Sequence, residues 1–588
     1  MDDQKNFILA IVLSGFVMLG YWFFFGKPLA EQARVDAASE IASAESTMPT
    51  PAAVEIKEPV ARETLITDGD RITIDTASLS GSFSLSGSRF DDIRLKNYNQ
   101  TLEDDSETVI MLTPEGAEKS AYIFDNWTKA DSGSGSNSPW MRLSGTTLTE
   151  TAPIILQHKG DGFVVERTVS VDDKYLITLT DKVTNTSGNE INLRRKGVSR
   201  QHGLPDELTN FFIIQEGPIS VVDNKLDDMK YKKLRKSGEH NNSGEGGWVG
   251  LTDKYWLSAA IAPQGKNIST KFAYREINGQ EVYETGYSTT PMTITPGTTI
   301  ESVGHVFAGP KDRTTLLNYE NEVGIMQMER AIDWGAMRIL TRPMSTVLTF
   351  LGEKIGNYGV GILVLTLIIK IVLFPLFNKQ YASQAMMKKV QPKQKKLQAL
   401  YKDDRMKLQQ EMMALYKKEG VNPMAGCLPI IPTIFVFFSL YKTVFINIDL
   451  RHAPFFGYIQ DLSARDPLSI LNGFGLFPWD AAPLGLSFLA IGPLAILYGI
   501  SMSLIYTLTP QNAGGGEQAE MMAKMMKFMP WMFMFILAPF AAGLLVYWVW
   551  NNILSFIQQY YITRKFKVDT PVDQFWRKIT GKEKPDAA

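Results

Sequence analysis

Five stretches of this chain, 7–25, 358–377, 427–446, 486–508 and 528–562, are predominantly apolar. A helix needs ~20 consecutive apolar residues to cross a ~30 Å hydrocarbon core, so this clustering makes a bilayer part of the fold. Whole-chain averages hide it. Of 588 residues 45% are hydrophobic and 21% charged, with a net charge of −2. That balance leaves no overall electrostatic footprint for nucleic acid, and charged partners must be met by local patches. The length exceeds the ~100–200 residues of one ordinary domain.

Residues 1–26 hold the first run, FILAIVLSGFVMLGYWFFF, which is longer than a typical signal-peptide core and ends in aromatics without a small-residue cleavage pattern. It reads as a retained transmembrane anchor rather than a cleaved signal. Residues 27–62, rich in Ala, Glu, Pro, Ser and Thr, read as a flexible linker. From 63 to 325 short alternating runs such as RITID, FVVERTVSV and KYLITLTDKVTN lie between Gly, Ser, Asn and Asp turns. This pattern predicts an all-β domain, a sandwich of two large sheets. DSGSGSNSP at 131–139 reads as a surface loop. Residues 326–355 carry Arg330, Arg338, Arg342 and Lys354 among apolar residues at helical spacing. They predict an amphipathic helix at the membrane interface, the alternative being a soluble helix packed on the β domain.

Charge sets the orientation. Residues 379–420 follow a span at 356–378 and predict a helical hairpin, Tyr381 to Tyr401 bent at Pro392 and then Met406 to Lys418. Eleven basic residues against four acidic ones over 378–420 leave +7, so this hairpin is expected in the cytoplasm. The loop 447–485 after the span 427–446 is acidic and suits the outside, and the basic tail 563–588 suits the cytoplasm again. Between them lie a span at 486–508 and the stretch 528–562, which must then cross twice, turning near Pro539 to Gly543. Six spans follow, with both termini cytoplasmic and the β domain outside.

Lys370 interrupts TLIIKIVLFPL, about 12 Å inside the cytoplasmic edge at ~1.5 Å per residue. An ionisable group at such depth costs ~2.5–3.5 kcal/mol and normally faces water or a partner. No acidic residue lies in the core of any predicted span. A hydrated groove is therefore expected, with Thr366 one turn away on the same face. The alternative is a snorkelled lysine without a role. The Met-rich faces of the hairpin and of MMAKMMKFMPWMFMF at 521–535 suit varied apolar segments, or simple packing.

Catalytic constellations are absent from the sequence. Cys427 is the single cysteine, the five histidines show no metal-ligand spacing, and no phosphate-binding lysine motif occurs. No cofactor, metal or enzymatic activity is expected.

TLIIKIVLFPLFNKQYASQAMMKKVQPK, QEMMALYKKEGVNPMAGCLPI, APFFGYIQDLSARDPLSIL and FMPWMFMFILAPFAAGLLVYWVWNNILSFIQQYYI closely resemble the YidC-type membrane protein insertases. The likeness covers about 355–565, and the anchor, linker and β domain ahead of it resemble the Gram-negative members. The resemblance implies a five-helix core around a hydrophilic groove, open to cytoplasm and lipid, and a periplasmic β-supersandwich domain similar to that of aldose epimerases. Lys370 and Thr366 then match groove positions, Lys370 standing where many members carry arginine, and Trp548 after Tyr547 replaces the second tyrosine of a pair. Ile434, Met532 and Ile536 match a hydrophobic slide, although Thr433 to Phe435 departs from the Gln-Met-Pro of some members. The stretch 472–484 looks like an addition. The partners implied are nascent inner-membrane proteins, the Sec translocon (SecYEG) with its SecDF accessory subunits, the ribosome through the basic loop and tail, and the phospholipid bilayer. Two other classes stay open: a small-solute transporter, for which no internal repeat is evident, and a membrane-anchored glycan-binding or glycan-processing protein acting through the β domain.

Overall fold

The computed structural model describes residues 60–67, 69–130, 139–205, 208, 214–277, 279–401, 404–421, 430–477, 489–509 and 517–581. The anchor, nearly all of the linker, the loop 131–138, Cys427 and residues 478–484 of the added stretch lie outside the described residues.

Alternating strands build two sheets, one of 11 strands and one of 9. In the first, Gln280–Thr289, Ile191–His202, Ala121–Lys129, Arg89–Asn99 and Leu79–Ser84 are successive neighbours. In the second the order is Trp248–Thr252, Trp256–Ile261, Thr299–Pro310, Leu176–Asn185, Phe163–Val171 and Ile154–Gly160. Phe83, Phe90 and Trp127 of the first sheet share one buried core with Trp248 and Phe307 of the second. Three short helices, α1 (Arg62–Thr67), α2 (Tyr231–Ser237) and α3 (Arg313–Asn318), belong to the same region.

The sandwich buries charge. On Phe163–Val171 the inward positions are Phe163, Val165, Arg167, Val169 and Val171, so period-2 alternation aims Arg167 at the core. Its cross-strand partner is Asp181. Arg167 donates to both Asp181 oxygens at 2.7 and 2.8 Å and to the Asp125 main-chain oxygen at 2.7 Å. Arg195 donates to Asp125 at 2.8 Å and to the Ser302 main-chain oxygen at 2.9 Å, and Tyr287 closes the set with a hydrogen bond to Asp125. Gly197 makes room for that tyrosine, since a Cβ there would lie 2.2 Å from its ring. Charges so deep are tolerated only when paired and hydrogen-bonded. All four side chains are fully excluded from solvent, so this cluster holds the sheets together and offers no ligand a way in.

Residues 326–355 divide their loyalty between the two regions. Met328, Ala331, Ile332 and Trp334 sit in the β core, a single 3-10 turn covers Met328–Ala331, and α-helix begins only at Arg338, running to Ile355 as α4. The expected continuous helix therefore starts about three turns late, because its first residues pack as a strap on the sandwich. Glu329 ties strap to helix: it accepts from Arg313 at 2.7 Å and from Arg342 at 2.9 and 2.6 Å.

The helices that follow are α5 (Tyr358–Val372), α6 (Phe374–Leu400), α7 (Arg405–Lys418), α8 (Ile430–Ile446), α9 (Pro493–Leu508), α10 (Glu517–Leu537), α11 (Ala542–Lys565) and α12 (Pro571–Thr580). Among the described residues no single helix is long and apolar enough to cross a membrane; α5 and α6 pass that test only as a pair bent by 70°. The expected straight span 356–378 thus breaks at Leu373. Pro375, in the first turn of α6, explains the break, since it has no N–H to continue the α5 ladder. Helix α6 runs unbroken through Pro392, and Ala538–Ala541 separate α10 from α11. Helix α8 reaches the β domain: Ile446 and Ile448 enter its core, and Lys442 donates to Asp333 of the strap at 2.7 Å.

Candidate substrate groove

Helix α5 starts at Asn357, whose side chain accepts from Val360 N at 3.0 Å and caps the first turn. Gly361 lies against Gly352 of α4, where a Cβ would meet backbone at 3.3 Å, so the two helices approach closely. This packing fixes the rotation of α5 and turns Thr366 and Lys370 inward, where both are buried. Thr366 donates to Ile362 O at 2.7 Å.

Lys370 meets α11. Its Nζ donates to Ser555 Oγ at 2.6 Å, and the Ser555 hydroxyl donates in turn to Asn551 O at 2.6 Å. The bend at Leu373 brings Phe377 back under the ammonium, 4.4 Å from ring centroid to Nζ, with Tyr381 stacked behind it. The charge thus has a hydroxyl on one side and an aromatic face on the other. Sequence reasoning missed Ser555, although a signal was present. Asn551, Asn552, Ser555, Gln558 and Gln559 recur on one face of an otherwise apolar helix. The structure uses three of the amides across helices: Asn552 donates to Ser501 of α9 at 3.1 Å, Gln558 to Asn378 at 3.0 Å and Gln559 to Gln384 of α6 at 3.0 Å. A polar seam therefore runs beside Lys370 and down to the hairpin.

About 10 Å further along α11, at ~1.5 Å per residue, Trp548 closes the seam. Its ring lies parallel to Tyr441 at 6.3 Å and to Phe437 at 5.9 Å, with Phe540 edge-on at 5.6 Å. Tyr547 is buried beside it. Trp548 Nε1, Tyr441 OH and Gln559 Oε1 are buried without a hydrogen-bond partner among the described residues. Each such atom costs ~1–3 kcal/mol unless water or a polar ligand satisfies it.

The slide candidates lie apart from this seam. Ile434 on α8 is 47% exposed, and Met532 and Ile536 on α10 are 41% and 49% exposed. Phe435, Phe438, Phe528 and Trp531 extend the same apolar exposure. The structure brings Lys370 and Thr366 together on α5, places Tyr547 and Trp548 above them, and leaves the three slide residues outward-facing. Among the described residues no group of three or more His, Cys, Asp or Glu is placed to hold a metal ion. In the β domain a cleft of about 670 Å³, lined in part by Arg62, Glu63, Gln201, Asp253 and Trp256, is the opening the buried Arg–Asp cluster does not supply.

Two family models match the chain: the 60Kd inner membrane protein over residues 350–570 and the YidC periplasmic domain over residues 71–347. The membrane protein insertase YidC of Maricaulis maris is 41% identical over the full length of both chains. That of Caulobacter vibrioides is 36% identical, covering 99% of each. A solved active YidC insertase with its first transmembrane domain resolved is 15% identical, covering 84% of this chain and 93% of its own, with a TM-score of 0.34; a likeness at that level carries no argument. The full-length identity and the two matched regions together show that the chain belongs to the YidC family of membrane protein insertases, inner-membrane proteins with a periplasmic domain that insert other proteins rather than catalyse a reaction.

Proposed function

We propose that this chain inserts its substrates through the polar seam between α5, α6, α9 and α11, with Lys370 as the receiving charge. The observation that carries this reading is a buried ammonium that, among the described residues, donates to the Ser555 hydroxyl and meets no carboxylate. Such a group retains attraction for an acidic or polar segment, whose own desolvation it partly offsets. The unpartnered Trp548 and Tyr441 donors above it supply further polar contacts, while their stacked rings seal the outer end. The substrate's apolar segment would leave along Ile434, Met532 and Ile536, burial in lipid driving release at ~25 cal/mol per Å².

In this reading five of six spans form the core around the groove and the sixth is the N-terminal anchor, the periplasmic domain is a supersandwich, both termini are cytoplasmic, and 326–355 docks the core to that domain. SecYEG, SecDF and the ribosome are partners implied by the family likeness. Reconstitution in liposomes tests the groove: insertion of a single-span substrate with an acidic outer tail should fall with Lys370→Leu and persist with Lys370→Arg. Equal insertion by all three proteins would remove Lys370 from the mechanism.

A further inference from the structure

The tail helix α12 is built inside out for a soluble helix. A capping box starts it, Thr570 accepting from Asp573 N while Asp573 accepts from Thr570 N, and Pro571 opens the first turn. Asp573 is then held from the other side as well, accepting from Tyr560 OH at 2.8 Å and from Arg564 Nη1 at 2.6 Å. Arg577 is held on Asp569 by two contacts of 2.7 Å. The polar face is thereby clamped to the end of α11. Turned outward instead are Phe575, Trp576 and Ile579, which are 62%, 58% and 60% exposed. Three large apolar side chains on one turn and a half of helix have no cover from the described residues.

We propose that α12 is a second interfacial anchor, lying on the cytoplasmic leaflet with Phe575, Trp576 and Ile579 in the headgroup region and anionic lipid as its partner. Three features select lipid. The apolar face belongs to a short amphipathic helix with a tryptophan, the composition that partitions into an interface. Arg564, Lys565, Lys567 and Lys578 surround it with positive charge, complementary to anionic headgroups. Five residues separate the end of α11 from the start of α12, and α11 itself exposes Ile553, Ile557 and Tyr561 at four-residue spacing, the stripe a lipid-facing helix shows. The chain reverses at Lys567, which takes the left-handed conformation at φ 54°, and the Asp573 clamp sets the angle at which α12 leaves α11. The proposal rests on the reading that the end of α11 lies at the cytoplasmic face.

Full-length protein carrying Cys427→Ser and one new cysteine at Phe575, Ile579 or Gln574, labelled with a polarity-sensitive fluorophore, is reconstituted in vesicles with and without phosphatidylglycerol. Probes at 575 and 579 should emit blue-shifted light and be quenched by brominated lipid, more strongly with phosphatidylglycerol, while the probe at 574 stays solvent-like. Lys578→Gln should weaken the dependence on phosphatidylglycerol. Solvent-like emission from 575 and 579 in both vesicles overturns the proposal, as does protection that appears only when ribosomes are added. A probe at Ile557 separates the two readings: quenched there but not at 575, the core spans the bilayer and only the anchor fails; unquenched at 557, the membrane placement of α11 itself fails.

Discussion

Replacing Lys370 by methionine should abolish insertion without destabilising the protein, and the structure sets the size of that expectation. Keeping an ammonium at this depth costs ~2.5–3.5 kcal/mol. Against it stand one charge-assisted hydrogen bond to Ser555, ~1.5–3 kcal/mol, and the face of Phe377, ~0.5–2 kcal/mol. The terms nearly cancel, so Lys370→Met should leave the thermal midpoint unchanged or raise it. Ser555→Ala behaves differently in the two backgrounds. With Lys370 present it removes the hydroxyl to which the ammonium donates and should cost ~1.5–3 kcal/mol. With Lys370→Met it should cost almost nothing, because the Ser555 proton goes to Asn551 O within the helix. The assay is a double-mutant cycle on thermal unfolding in detergent, read by size-exclusion fluorescence. A coupling below ~0.5 kcal/mol, within the scatter of independent sites, would refute the contact as an energetic pair. Marked destabilisation by Lys370→Met would make the lysine a structural strut.

Two further outcomes test the frame around the groove. Glu329→Gln removes the charge shared by Arg313 and Arg342 and should cost ~1.5–3 kcal/mol, read as faster hydrogen exchange through the strap 326–337 and the first turn of α4. His305 is held down to about 4 by burial and then by the nearby Arg195 charge, so the folded domain prefers it neutral. Its contribution is complete above the ordinary value of 6.5 and is lost as pH falls towards about 4, where the unfolded chain has taken up the proton first. The loss is at most ~3 kcal/mol. Protection factors in the β domain, taken relative to the intrinsic exchange rate at each pH, should fall between pH 7 and 5, and His305→Gln should flatten that fall; an unchanged slope would sink the assignment.

Much of this architecture was legible because one physical signal dominated. Apolar runs and the +7 hairpin mark the helical region, and alternation marks the sandwich. The Arg–Asp cluster was legible too, had the alternation been pressed: Arg167 occupies an inward position between Val165 and Val169 in FVVERTVSV. Asp125, which pairs with it, and Arg195, which pairs with Asp125, could not be read, because they arrive from distant strands through sheet topology. At the groove, Lys370 announces itself as a charge among apolar residues, whereas Ser555 does not, a serine being common in any helix. Only the spacing from Asn551 to Gln559 distinguishes that face. The 70° bend had its cue in Pro375. The strap at 326–337 had none, since its apolar residues serve a sandwich core as well as they would a helix. The tail was read by its charge, which concealed the capping box and the apolar face of α12.

The central claim is that polar and apolar parts of a substrate take different paths past α11. Photo-crosslinking of a translation-arrested single-span substrate measures this directly, with the crosslinker placed at Asn552 in the seam or at Ile434 on the outer face. The account predicts that position 552 captures the polar outer tail and position 434 the apolar segment. Capture of the apolar segment at 552, with no tail crosslink there, would contradict it.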